Sequence, residues 1–188
     1  LDNYVKAFGD KNVRAAMCHT FLWVLLQATV HVLLGTLLAF ILAKKFRGWK
    51  VFRTICMLPN VISTAALAMI LLNVFKTDSG LLNGIIRLIT GHAFEWNWYF
   101  NSKTALPSVT LGWLLYPGMI TILMLAAITA IPDELLEAAR IDGATPLQIN
   151  LRVVLPLVRG TLGTSVIIAA TSMLKEFELI YLTTNGGP

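Results

Sequence analysis

The chain has 188 residues, of which 56% are hydrophobic and only 13% charged. Soluble domains carry about 25% charge, so this composition excludes an ordinary soluble class. The net charge of +5 does not indicate nucleic acid, because the basic residues lie between apolar runs, where their role is topological.

Residues 1–16 read as a short amphipathic segment at the membrane surface. Residues 15–43, 54–75 and 104–132 contain no Asp, Glu, Lys or Arg. Each reaches the roughly 20 residues that a helix needs to cross about 30 Å of hydrocarbon. A fourth uncharged run, 160–174, is shorter, but apolar sequence resumes after Lys175-Glu176-Phe177-Glu178. Four spans are therefore expected, in an all-α, polytopic membrane protein with a single transmembrane domain over 1–188.

The first span is expected from Met17 to Ala43. Gln27, His31 and Gly35 recur every four residues and share one helix face, which suits helix contact better than lipid. His31 is read as a neutral histidine bonded to a neighbouring helix in preference to a ligand or proton carrier. Residues 44–53 follow with Lys44, Lys45, Arg47, Lys50 and Arg53 and no acid, so this short loop is cytoplasmic. Alternation then puts 76–103 outside and 132–159 inside.

The second span is expected from Thr54 to Phe75. The outer loop carries Phe94, Trp96, Trp98, Tyr99 and Phe100, read as an interfacial aromatic belt in preference to a sugar-stacking cluster. The third span runs from Ala105 to Ile131, with Pro117-Gly118 near its middle. Proline there frees a carbonyl and kinks the helix, making the vicinity of Trp113, Tyr116 and Gly118 a candidate place for a polar ligand, with a simple packing irregularity an equally good account. The fourth span is expected from Gly160 to Leu182. Lys175 and Glu178 are spaced to pair on one face of it, and charges in such a span should line a cavity or contact a partner. Cys18 and Cys56 lack metal-site spacing and read as packing thiols, and no metal site is expected.

Residues 132–159 are too organised for a connector. Pro132-Asp133-Glu134 opens a helix with acids in its first turn, Gly143 ends it, and Thr145-Pro146-Leu147-Gln148 has the pattern of a capping box. Ala138, Ala139, Gly143 and Ala144 leave room for close approach by another protein. An interfacial helix that binds nothing fits this shape equally well.

The order Glu137-Ala138-Ala139, Gly143, Val153 and Leu155-Pro156 resembles the EAA loop of ABC importer permeases, with Val153 where isoleucine is usual. Asn3-Tyr4, Phe52-Arg53, Leu58-Pro59, Gly80-Leu81-Leu82-Asn83, Ile131-Pro132 and the terminal Leu182–Pro188 run resemble the maltose-type branch. His19 departs from that branch, which usually has Asn, and so does the charged 175–178 run. The resemblance implies a type I importer transmembrane fold, here a fragment with about four of six core helices, in a bacterial inner membrane. It also implies a cargo of sugar or related polyol. Implied partners are two ABC ATPase subunits, a second homologous permease and an extracytoplasmic solute-binding protein, within the lipid bilayer.

The same resemblance assigns ATPase coupling to Glu137, Ala138, Ala139, Asp142, Gly143 and Ala144. The substrate pathway is assigned to Trp113, Tyr116, Gly118, Glu176 and Phe177 from their places in the spans. The chain has no GxxxxGK[ST] loop and no catalytic constellation. It is expected to be a transport subunit without enzyme activity or a cofactor of its own, with ATP–Mg on the ATPases. The alternatives are an ion-coupled secondary transporter, which would show internal repeats, or an ABC permease for a non-sugar solute.

Overall fold

A computed structural model describes residues 2–114 and 117–187, and no β-strand occurs among them. Helix α1 spans Asp2–Gly9. Helix α2 spans Lys11–Ala43, 33 residues without a break. Asp10 starts it, its carboxylate accepting from the Asn12 amide at 2.8 Å. The helix of the first span thus begins six residues earlier than its apolar run, because a cap rather than hydropathy sets the start. Within α2, Gln27–His31 form a π turn, the single-turn insertion often found at functional or closely packed places.

The second span is not one helix. Helix α3, Trp49–Val61, and helix α4, Thr64–Val74, meet at a bend of 104°. Two local features account for the break. Pro59 withdraws an amide from the last turn of α3, and the Ser63 hydroxyl accepts from the Ala66 amide at 3.3 Å, restarting helix in a new direction. Helix α5 spans Leu81–Thr90 in the loop that follows.

Helices α6, Ala105–Leu114, and α7, Gly118–Thr129, occupy the third span. Helix α8 spans Asp133–Ile141 and α9 spans Pro146–Leu157 with a second π turn at Asn150–Val154. Helix α10, Arg159–Leu174, leaves α9 at 69°. The fourth span also differs from expectation. It stops at Leu174, and helix α11 restarts at Glu178–Thr184. The Glu176 carboxylate accepts from the Leu179 amide at 3.1 Å and so caps α11. Lys175 and Glu178 do not share a helix, so the helical spacing that suggested their pairing is absent; within the second unit Arg87 pairs with Glu95 at 3.5 Å.

The chain divides into two compact units. The first comprises 1–53 and 119–175. In it α10 lies along α2, against both halves and the π turn between them. Val32, Ala39, Leu42, Met124 and Ala169 are among the residues that fill its core. His31 is buried there, and its Nδ1 has no hydrogen-bond partner among the described residues, contrary to the expected bond to a neighbouring helix.

The second unit comprises 54–118 and 176–188, with α11 packed on α4 and α6. Its loop is organised around two side chains. Asn83, fully buried, donates to the Thr77 and Trp96 carbonyls at 2.8 and 3.0 Å and accepts from Trp98 Nε1 at 2.8 Å. Arg87 donates to the carbonyls of Phe94 at 2.7 Å and Asp78 at 2.9 Å. These bonds draw the aromatic run inward. Trp98 and Tyr99 meet Phe75 edge-on at 6.2 and 5.1 Å, and Phe94 tilts against Trp98 at 6.5 Å. The expected belt is therefore mostly a small aromatic core, with Trp96 and Phe100 left exposed. Burial pushes the Tyr99 hydroxyl above the usual phenol range.

Replacing Asn83 with Ala removes three bonds from a buried position, at a cost of about 2–3 kcal/mol. Hydrogen exchange on the full-length protein should show faster exchange across 76–104; unchanged protection there would contradict this account of the loop. Gly118 has no room for a side chain, since a Cβ would strike the Cys56 carbonyl and the Asn60 amide. Gly118→Val should therefore destabilise by about 1–3 kcal/mol, read as a lower thermal midpoint in detergent, whereas an unshifted midpoint would mean that α3 yields at no cost.

Candidate coupling loop and substrate pathway

Pro132 precedes helix α8 as its N-cap residue, with Asp133 and Glu134 in the first turn, where the helix dipole favours acids. It ends at Asp142, and Gly143 follows at φ +80°, a left-handed conformation that glycine adopts without steric penalty. The Ala144 amide reaches back to the Ala139 carbonyl at 3.0 Å, which closes the turn. Thr145 then opens α9 with reciprocal capping. Its amide donates to the Gln148 side chain at 2.7 Å, and the Gln148 amide donates to its hydroxyl at 3.4 Å. The amides of Asp142, Gly143, Ala144, Thr145, Gln148 and Ile149 all find partners within the corner, so its turn is defined by local bonds.

What the corner presents is apolar. Ile141 is 86% exposed and Leu147 66% exposed, on either side of Gly143. Glu137, Ala138, Asp142 and Gly143 are exposed, while Ala139 and Ala144 are half-buried. The six residues assigned to coupling thus lie together on one helix–turn–helix corner of the first unit. Ile141 and Leu147 were missed by the sequence reading. Their signal was present, as large apolar residues flanking a cap glycine in a loop.

The described residues assigned to the pathway all fall in the second unit. Tyr116 lies outside the described residues. Trp113 is 4% exposed in α6, so its ring is part of the packing. Gly118 is a close-approach glycine against α3. Glu176 uses one carboxylate oxygen as the cap of α11. Phe177 is 68% exposed and stacks on Tyr181, which is 50% exposed, with ring centroids 5.2 Å apart and planes at 19°. This stacked pair is an exposed aromatic surface of the second unit. Tyr181 escaped the sequence reading although it follows Phe177 by four residues, because the start of α11 between them was not foreseen.

Comparison with known proteins follows the same lines. A family model described as "Binding-protein-dependent transport system inner membrane component" matches residues 31–188. Over its full length the chain is 32% identical to the probable ABC transporter permease protein YurN of Bacillus subtilis (strain 168), of which it covers 65%. Over 99% of its length it is 31% identical to the osmoprotective compounds uptake permease protein GgtC of Synechocystis sp., covering 68% of that protein. It is 29% identical to the maltose/maltodextrin transport system permease protein MalF of Escherichia coli (strain K12), covering 37% of it. The chain therefore spans about a third to two thirds of the length of these relatives. A chain from the crystal structure of a bacterial ABC transporter involved in the import of the acidic polysaccharide alginate shares the fold. The TM-score is 0.85 at 22% identity, over 98% of this chain and 68% of that one. A helical chain with membrane-length apolar helices, an organised EAA-type loop and these relatives is a member of the binding-protein-dependent transport system inner membrane component family.

Proposed function

We propose that this chain forms part of the membrane pathway of an ATP-driven importer for a sugar or related polyol, and that 132–159 couple it to partner ATPases. The observation that carries this reading is the corner at Gly143. Its turn is closed by local hydrogen bonds, yet it exposes Ile141 and Leu147 astride the turn. A rigid element with unburied apolar tips fits a cleft in another protein. Membership of a binding-protein-dependent transport family favours an ATP-coupled mechanism over the ion-coupled alternative.

In this reading two ATPase subunits bind ATP–Mg and close on each other. The corner moves with them as a rigid body, and its displacement passes through α9 to α10 and the α2 helix on which α10 lies. A second homologous permease completes the pathway, and an extracytoplasmic binding protein delivers the cargo. The chain performs no chemistry on the cargo. Phe177 and Tyr181 suit the C–H faces of a sugar ring, and the free oxygen of Glu176 can accept from a hydroxyl. Trp113 and Gly118 act by packing, as supports of the helices that carry these groups.

The carbohydrate reading draws on relatives described as maltose/maltodextrin and alginate transporters. A second reading, a small osmoprotectant as cargo, is favoured by the GgtC relative, which is described by osmoprotective compounds. An aromatic pair with one carboxylate is compatible with either class.

Coupling is tested by crosslinking. In the full-length protein with Cys18 and Cys56 replaced, Ala138→Cys should capture an ABC ATPase in membranes. Failure to capture it, with the complex shown to be assembled, would falsify the coupling assignment. The cargo surface is tested by Phe177→Ala and Tyr181→Ala in reconstituted importer. Each removes one stacking face, of the order of 1 kcal/mol, so uptake should fall about fivefold while ATP hydrolysis stays coupled to the binding protein. Uptake at the parent rate in both variants would remove the pair from the pathway.

A further inference from the structure

The first unit holds a cavity of about 470 Å³; Ala144 of the coupling set touches it, but its charged lining has no part in the coupling or the pathway reading. Lys44 and Lys45, at the end of α2, and Arg140, in the last turn of α8, line it against Asp133. Phe40 and Leu136 belong to its apolar floor. Three cations and one acid converge there, and none of the three cations is in an ion pair among the described residues. Helix dipoles explain a cation at the end of α2 and another at the end of α8, each on its own terms. They do not explain why both helix ends turn their cations into one cavity with a hydrophobic floor.

The place of the cavity adds a second constraint. Lys44 and Lys45 directly follow the apolar run that ends at Ala43, so they stand at the boundary between hydrocarbon and water. The excess of basic residues in 44–53 puts that boundary on the cytoplasmic side, where the leaflet is rich in anionic headgroups. A ligand that fits must carry negative charge at one end and hydrocarbon at the other. A free phosphate or nucleotide leaves the floor unused, and a neutral lipid leaves the cations unmatched.

We infer that this cavity binds the headgroup of an anionic phospholipid of the cytoplasmic leaflet, with Lys44, Lys45 and Arg140 on the phosphate and the start of an acyl chain along Phe40 and Leu136. Arg140 belongs to the helix that leads into the Gly143 corner. A bound lipid therefore ties the root of the coupling loop to the end of the first span. The proposal depends on the cytoplasmic placement of 44–53 and not on which solute is carried.

Native mass spectrometry of the intact importer, stripped of lipid and then offered phosphatidylglycerol or phosphatidylcholine, reads the site without requiring transport. Phosphatidylglycerol should be retained on the parent and lost by at least about tenfold in Lys44→Gln/Lys45→Gln/Arg140→Gln. The charge-preserving set Lys44→Arg/Lys45→Arg/Arg140→Lys should keep it, and Leu136→Trp, which fills the floor and leaves the cations, should exclude it. Arg47→Gln/Arg53→Gln/Arg152→Gln removes equal charge from the same side and should keep it as well. Equal loss in that control would reduce the site to general surface attraction and overturn the proposal. So would equal retention of phosphatidylcholine, or displacement by millimolar inorganic phosphate.

Discussion

A backbone amide or carbonyl at membrane depth has no water to bond to, so wherever a helix stops within apolar sequence the chain itself must supply the missing partner. The rest of this structure follows from how that requirement is met. At Ile62–Ser63 the Ser63 hydroxyl receives an amide. At 175–177 the Glu176 carboxylate does the same for α11. Hydroxyls on the helix faces return to their own backbone, as with Thr36 to the Val32 carbonyl at 2.7 Å, Ser165 to Thr161 at 2.9 Å and Thr183 to Leu179 at 2.7 Å. Polar side chains in the spans thus serve the helix that bears them before they serve a neighbour or a ligand.

That order of demands bears on function. Glu176 looks like a free carboxylate in the sequence, but capping α11 commits one of its oxygens and fixes its direction. The cap also sets where α11 begins, and with it the stacking of Phe177 on Tyr181. A structural bond and an exposed aromatic stack are therefore parts of one local arrangement. The corner at Gly143 is built in the same local way. Thr145 and Gln148 satisfy each other, Gly143 accepts the left-handed turn, and Ile141 and Leu147 remain available to a partner because nothing within the corner needs them.

Much of the architecture could be read directly. The charge-free runs 15–43, 54–75 and 104–132 foretold where apolar helices lie, since insertion into lipid tolerates few charges in any arrangement. The corner at 132–159 was legible down to its capping box, because caps depend on residues three apart and on no distant contact. The breaks were harder. Pro59 and Ser63 were visible, yet a proline can kink a span without ending it, so a bend of 104° did not follow from the residues alone. The inward packing of the aromatic run 94–100 was hidden for a different reason. Its burial depends on Asn83 and Arg87 reaching 7 to 15 residues along the chain.

The sequence by itself determined that this chain belongs in a membrane, that it folds as helices, and that 132–159 form a glycine-cornered pair with an EAA-type pattern. These are properties of composition and of neighbours within one helical turn. Tertiary structure alone decided that Trp113 and Gly118 are packing residues, that Tyr181 joins Phe177, and that Lys44, Lys45 and Arg140 share one cavity. The reason is that burial, close approach and convergence of charge are relations between segments far apart in the chain. No local spacing of residues encodes which segments will meet.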